Sequence, residues 1–554
     1  MMKKILCLLI VGVFCFSVLA SCNTNKGDEG ESQTSSDVVV DDTSAETQLD
    51  TDKDEESDVE SEENTDADTD ADTAGDTTGG DESDVIDDTE TDTEVDELPI
   101  NELPNTTYNG YNYRILARES YYKADFEADS NTKDTVGRQV YARNLFVQNK
   151  YGVTISTDYF AEKGRDKGNF SDDKVQTTLA TGQDVYSLVA THGRYATGYA
   201  INNACLDWND DTEFGYFNLE HDWWSQGARE CFTINDRLYF MVGDLCHMSA
   251  ASSYCVMANI NALDAAGIEV PYEDVKEGTW TFDKMARYAK LAAKDDGNGK
   301  WEIGVDTMGY VTQFWGGTYC AFFASGGRIV QEDSNGNLYI SIYDNGEATD
   351  TVLQNFFDLV NSNEGYQGDI NFTTLIQSET YVFMDIVLDN IADKVKSVQG
   401  DIRYAILPYP KTAEDVDSYV SHTAGEYDVV LIPKTLKDES REAVCVVTEA
   451  LCQKGSTDVV PVYYDTVVCG RTLQQANDIE MIKIIQDSRI YDFGYYYSNI
   501  DTGTGGTGIS NLLWRLGSDN AKDGEGASSF GAYYTSAISI AEENLKKLQD
   551  AFSK

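Results

Sequence analysis

Apolar and polar positions divide this 554-residue chain into three stretches of different character. Ile5 to Leu19 form an almost unbroken apolar run, whereas from Asn23 to Leu103 apolar residues are scattered among Asp, Glu, Thr, Ser and Gly and cannot build a core. From Pro104 onward, short apolar runs alternate with helix-like stretches. Tyr113-Arg114-Ile115-Leu116-Ala117 reads as a strand, followed by a polar loop at Arg118 and Glu119 and a helix near Gly137 to Lys150. Val153 to Ser156 reads as a second strand, Asp172 to Thr181 as a helix stopped by Gly182, and Val185 to Ala190 as a third, largely buried strand. Strands alternating with helices predict parallel-sheet α/β lobes. In such sheets the loops leaving the carboxyl ends of strands line the ligand crevice. That rule makes Arg118, Glu119, His192, Gly193 and Arg194 ligand-site candidates.

Further along, Thr281 suits an N-cap and Asp283 lies in the first turn, where the helix dipole favours a negative charge. Phe282, Met285, Ala286, Ala289 and Ala293 recur at helical spacing, so Trp280 is expected to pack at the start of this helix. Asn335-Gly336, between Arg328-Ile329-Val330 and Leu338-Tyr339-Ile340, marks a hairpin turn. Asp295-Asp296-Gly297-Asn298-Gly299-Lys300 invites comparison with a calcium loop. An EF-hand loop needs Gly at its sixth position, and counting from Asp295 that position is Lys300, so a polar turn is the better reading.

Charge sharpens the division. Asn23 to Leu103 carry 32 Asp and Glu against only Lys26 and Lys53. Low hydrophobicity with like charge leaves chain entropy unopposed, which predicts a disordered acidic spacer over 22–105. A flexible chain of this length spans roughly 50 Å, and self-repulsion extends it. Of the net charge of −56, −28 falls on residues 104–554. Such a surface repels a polyanion, which argues against nucleic acid as a partner. The 451 residues of this body exceed what one core normally serves, so two lobes are expected. Its eight cysteines show no CxxC pair or zinc spacing and read mostly as small buried apolar residues.

Lys3 and Lys4 before the apolar run, and Leu19-Ala20-Ser21-Cys22 after it, resemble the leader and cleavage box of bacterial lipoproteins. The resemblance implies removal of residues 1–21, lipidation of Cys22 and tethering of the protein to the outer face of the plasma membrane. Lipid chains enter a bilayer at about 0.8 kcal/mol per buried methylene, so two or more hold a folded domain at the surface.

Within the body, segments in a fixed order carry a second resemblance. They run from Thr181-Gly182-Gln183-Asp184-Val185-Tyr186, through Arg237 to Asp244 and Asn259-Ile260-Asn261-Ala262-Leu263, to Ala266-Gly267-Ile268 and Gly278-Thr279-Trp280-Thr281-Phe282-Asp283-Lys284-Met285. Lys294 to Lys300, Ile303-Gly304 and Tyr404-Ala405-Ile406-Leu407-Pro408-Tyr409-Pro410 follow. Together they resemble the extracellular solute-binding proteins of ABC importers, family 1 type. One departure is Asn259-Ile260, where the family often has Asn-Lys.

The resemblance implies a two-lobed periplasmic-binding-protein-like fold (type II) over 106–554, closing on a solute and docking on membrane permease subunits, without cofactor and as a monomer. The first lobe is expected at about 108–243 plus 384–410, and the second at about 255–382 plus the C-terminal region. Hinges are expected near Asp244 to Tyr254 and Phe383 to Asp385. A carbohydrate cargo needs rings for its C–H faces and polar side chains for its hydroxyls. Trp224, Trp315 and Tyr319 join the candidates on this ground, with Trp315 beside two glycines that let backbone approach a ligand. Tyr495, Tyr496 and Tyr497 suit either a cleft rim or lobe packing. Peptides and other small solutes remain alternative cargoes.

A surface glycoside hydrolase is the rival class, since two spaced carboxylates suffice for that chemistry. No recognisable catalytic segment surrounds any pair. The four histidines, His192, His221, His247 and His422, form no HExxH, and GxSxG and phosphate-loop motifs are absent. No metal site is expected, and no internal repeats suggest an adhesive array.

Overall fold

The computed structural model describes residues 102–160, 181–313, 316–400, 402–470, 475–497, 512–513, 516–517 and 530–553. The expected leader, Cys22, most of the expected acidic spacer, the helix expected from Asp172 and Trp315 lie outside the described residues.

The first sheet grows from the apolar runs near the start of the body. Strand β1 (Asn112–Arg118) alternates and then buries its last four residues, and β2 (Thr154–Phe160) lies parallel to it. Between them a helix, Thr135–Tyr151, begins where Asp134 Oδ2 accepts the Gly137 N–H at 2.7 Å. It ends at Gly152, whose φ of 60° suits a residue without Cβ. Strand β3 (Leu188–His192) is fully buried, pairs parallel with β1, and sits slightly later than the apolar run alone indicated.

Beyond Gly243 the chain builds a second sheet. It contains β4 (Tyr254–Asn259), β5 (Met308–Thr312), β8 (Gly365–Gln367), β9 (Tyr381–Val387) and β10 (Tyr404–Leu407), in the order β10-β4-β9-β5-β8. The expected Asn335-Gly336 hairpin joins β6 (Val330–Glu332) to β7 (Leu338–Ile340), with Gly336 at φ 82°. The helix Phe282–Ala292 starts where Thr281 Oγ1 accepts the Lys284 N–H, and it buries Phe282, Met285, Ala289 and Ala292. Trp280 is buried at its start and donates Nε1–H to the Pro408 carbonyl at 3.0 Å.

Strand pairing corrects the expected division of the chain. Residues 384–410 do not return to the first sheet. They supply β9 and β10, which pair antiparallel with β4 in the second. The return falls later, at β12 (Asp428–Leu431), antiparallel to β3 at the edge of the order β12-β3-β1-β2. Phe383 to Asp385 therefore lie inside a sheet rather than at a crossing, on a strand held between β4 and β5 that leaves the backbone no freedom to bend.

The chain passes between the sheets through residues 244–253 and 408–427, and leaves the first lobe again through residues 455–470. The first two passages pair with each other through Ser253 and Thr423, and the Ala424 N–H donates to the Ser252 carbonyl at 2.8 Å. The first and the last of these segments meet at Gly455, where an added Cβ would run into the Asp244 carbonyl. Arg143 ties the first passage down, donating to the carbonyls of Leu245 at 3.1 Å and Asp125 at 2.7 Å. Short strands β11 (Ser421–His422) and β13 (Arg489–Ile490) pair beside these crossings.

Candidate functional site

The loop after β3 comes from the first sheet. His192 is buried at the strand end, stacks on Tyr195 at 4.2 Å, and accepts the Arg194 N–H at Nδ1. Gly193 donates its N–H to Tyr427 in the segment leading to β12. The Arg194 guanidinium lies 4.7 Å above the ring of Tyr495, a geometry suited to cation–π attraction. Tyr495 belongs to the short helix Phe493–Tyr496, started by Asp492, whose Oδ1 accepts the Tyr495 N–H.

The second sheet contributes the opposite wall. Tyr254 opens β4, and Tyr319 and Phe323 project from the helix Gly317–Ala324, all eight of whose residues are buried. These rings converge on His422 in the passage between the sheets. Tyr254 stacks on it at 5.4 Å, Phe323 lies at 4.8 Å, Tyr319 at 5.8 Å, and Tyr495 stands edge-on at 4.5 Å. Burial and the nearby Arg194 charge push the His422 pKa down to about 3, so its imidazole is neutral. Gly316 packs so closely on Tyr254 that an added Cβ would sit 2.8 Å from the ring. The close approach at this glycine beside Trp315 is thus to a ring of the protein itself.

Three of the sequence candidates, His192, Arg194 and Tyr319, are thus gathered around one junction. Arg118 has another task. Only 3 % exposed, it donates Nε–H to Asp428 Oδ1 at 2.5 Å and a second N–H to the Glu426 carbonyl, with its guanidinium over Tyr122. It fastens the end of β1 to the start of β12, and its charge is consumed by that pair. Glu119 is exposed, and its N–H bonds the Phe160 carbonyl.

Trp224 is corrected outright: it is fully buried in the first lobe and donates Nε1–H to Glu449 Oε2 at 2.9 Å. Trp208 and Phe217 meet it edge-on. Trp223 and Asn218 donate to Glu449 Oε1, and burial nonetheless raises that carboxyl's pKa. Tyr495 turns toward the junction, while Tyr496 and Tyr497 spend their hydroxyls on backbone carbonyls of Thr423, Ala424 and Phe232.

Tyr254 and His422 were not singled out by the sequence. Each sits in an ordinary short apolar or polar run, and no local spacing links them.

Below the helix Gly317–Ala324, Asp385 accepts the hydroxyls of Tyr310 at 2.5 Å and Thr312 at 2.8 Å, and burial lifts its pKa to about 7. The carboxylates of Asp295, Asp296 and Asp306 come within 4.8 Å of one another. Both Asp306 oxygens already accept backbone N–H groups, from Asp296 and Glu302, which closes the loop as a polar turn.

No family model matches the chain, and no curated protein matches it. Solved structures do. The chain is similar to UgpB from Mycobacterium tuberculosis in complex with glycerophosphocholine, at 13 % identity over 79 % of this chain and 99 % of that one, with a TM-score of 0.53. It is also similar to the galacto-N-biose-/lacto-N-biose I-binding protein of an ABC transporter from Bifidobacterium longum, at 12 % identity over 79 % and 98 %, with a TM-score of 0.51. A third likeness is the ABC substrate-binding protein Lmo0181 from Listeria monocytogenes, at 12 % identity over 79 % and 98 %, with a TM-score of 0.50. The body has the two-lobed solute-binding-protein fold. In these solute-binding-protein terms the two sheets are the cores of the lobes, and the ring cluster around His422 lies where the chain passes between them. Among the described residues no helix is long and apolar enough to cross a membrane.

Proposed function

We propose that this chain is the lipid-anchored, extracellular solute-binding component of an ABC importer, which captures a carbohydrate between its lobes and delivers it to membrane permease subunits. One observation carries the reading. Arg194 from the first lobe, Tyr254 and Tyr319 from the second, and His422 and Tyr495 from the segments around the crossings meet at the junction of the lobes. Rings suit the C–H faces of a sugar, and neutral polar groups suit its hydroxyls. Closure of lobes joined by these passages would convert binding energy into a shape a permease can recognise. The proteins of like fold include one named for lacto-N-biose and one in complex with cycloalternan, which supports a carbohydrate cargo. Lipidated Cys22 would hold the protein at the cell surface, with the acidic spacer setting its reach.

The test is thermal unfolding of the chain from Asn23 onward with maltose, cellobiose, mannobiose, glycerophosphocholine and trialanine. A solute at 100 times its Kd stabilises the folded state by about 2.7 kcal/mol, enough for a clear melting shift. A shift with an intact saccharide supports the reading. A shift with trialanine or glycerophosphocholine alone overturns the carbohydrate class, and cleavage of a saccharide replaces transport by hydrolysis.

A further inference from the structure

We infer that His422 contacts the solute directly, offering one ring nitrogen as donor and the other as acceptor to the hydroxyls of an uncharged carbohydrate. The inference rests on the carbohydrate-binding reading above and adds the residue that would recognise the hydroxyls. His422 is 2 % exposed, yet neither Nδ1 nor Nε2 has a hydrogen-bond partner among the described residues. Two further groups share this condition beside it, Thr423 Oγ1 and Ser253 Oγ, on the two passages that pair with each other. Three neighbouring buried side chains with unused hydrogen-bonding capacity are unusual, because a buried polar group without a partner has lost its water and gained nothing in exchange.

Packing does not require a histidine there. The four rings around it would accept phenylalanine, which fills similar space without polar atoms. A neutral imidazole keeps one donor and one acceptor, and a sugar hydroxyl both donates and accepts. The cost of bare nitrogens is then recovered only when a solute is present. Because β11 belongs to a passage between the lobes, the same contact links occupancy to the arrangement of the lobes.

The experiment uses the chain from Asn23 onward and the variants His422→Phe and His422→Gln, with calorimetric titration of maltose, cellobiose and mannobiose. For the saccharide that binds the unaltered protein most tightly, His422→Phe should lose at least tenfold in affinity, and His422→Gln, which keeps a donor and an acceptor, should lose less. Without sugar, His422→Phe should unfold at the same or a higher urea concentration than the unaltered protein, opposite in direction to its effect on binding. With four histidines in the chain, ¹⁵N-histidine labelling gives a second readout that does not depend on the Phe variant folding. The His422 ring signals, assigned by their absence in His422→Gln, should move on saturation with saccharide. Affinity within twofold in His422→Phe, or unmoved ring signals in a protein that binds sugar, overturns this inference alone. No binding of any of the three saccharides by the unaltered protein overturns the carbohydrate reading and this inference with it.

Discussion

Trp224→Phe separates a core ring from a cleft ring. The substitution keeps an aromatic at the centre of the Trp208 and Phe217 edges but removes the Nε1–H that reaches Glu449 Oε2 at 2.9 Å. Glu449 is fully buried in the helix Asp438–Lys454, so no water replaces the lost donor. A hydrogen bond to a charged group contributes about 1.5–3 kcal/mol, and the smaller ring adds a void, so a loss of about 2–4 kcal/mol is expected. The loss should depend on pH. The Trp224 bond is among the groups that hold the Glu449 pKa down against burial, so its removal raises that pKa further. An acid raised in the folded state favours the protonated form, and stability is lost as pH rises through its folded pKa. Trp224→Phe should therefore be more destabilising at pH 8 than at pH 5. Urea unfolding at both pH values measures this, and calorimetry should show saccharide affinity within twofold of the unaltered protein. An unchanged unfolding midpoint together with a large loss of affinity would refute the core assignment and return Trp224 to the cleft.

Three further outcomes follow from the same packing. Burial lifts Asp244 and Asp385 to about 7 and Asp492 to about 6, so the folded state holds protons that the unfolded chain has released above pH 4. Their stabilisation is present below that pH and is lost as pH rises toward 7, while His422 acts in the opposite sense as pH falls below 6.5. Asp385→Asn should accordingly flatten the fall in stability between pH 5 and pH 7 in urea titrations, and an unchanged slope would contradict the assignment. Gly455→Ala should cost about 1–3 kcal/mol and alter the lobe arrangement, since the new Cβ meets backbone rather than a yielding side chain; scattering profiles identical to those of the unaltered protein would count against the close crossing. Thr281→Ala removes the cap of the helix Phe282–Ala292 and should cost about 0.5–2 kcal/mol in thermal unfolding, with saccharide affinity unaltered.

Much of the fold was legible because its signals are local. The strand at Tyr113 to Ala117, the helix that follows, the Thr281 cap and the Asn335-Gly336 turn each depend on residues within a few positions of one another. The order of segments supplied the two-lobed architecture. The return strand was misplaced because residues 381–387 and 428–431 are both buried and mostly apolar, and only their partners tell them apart. In the site, the rule for loops after parallel strands led to His192 and Arg194. It cannot distinguish a loop arginine that stays near the cleft from Arg118, which is taken by Asp428, 310 residues away.

The sequence by itself determined what local periodicity, capping and composition control: α/β elements, a strongly acidic N-terminal stretch and a body large enough for two lobes. Tertiary structure alone decided which rings became core and which met at the junction. Trp224 is claimed by Glu449, 225 residues away, and His422 is enclosed by Tyr254, Tyr319, Phe323 and Tyr495 from distant parts of the chain. A side chain's chemistry is written at its own position, but its burial and partners are set by segments that meet only when the chain folds.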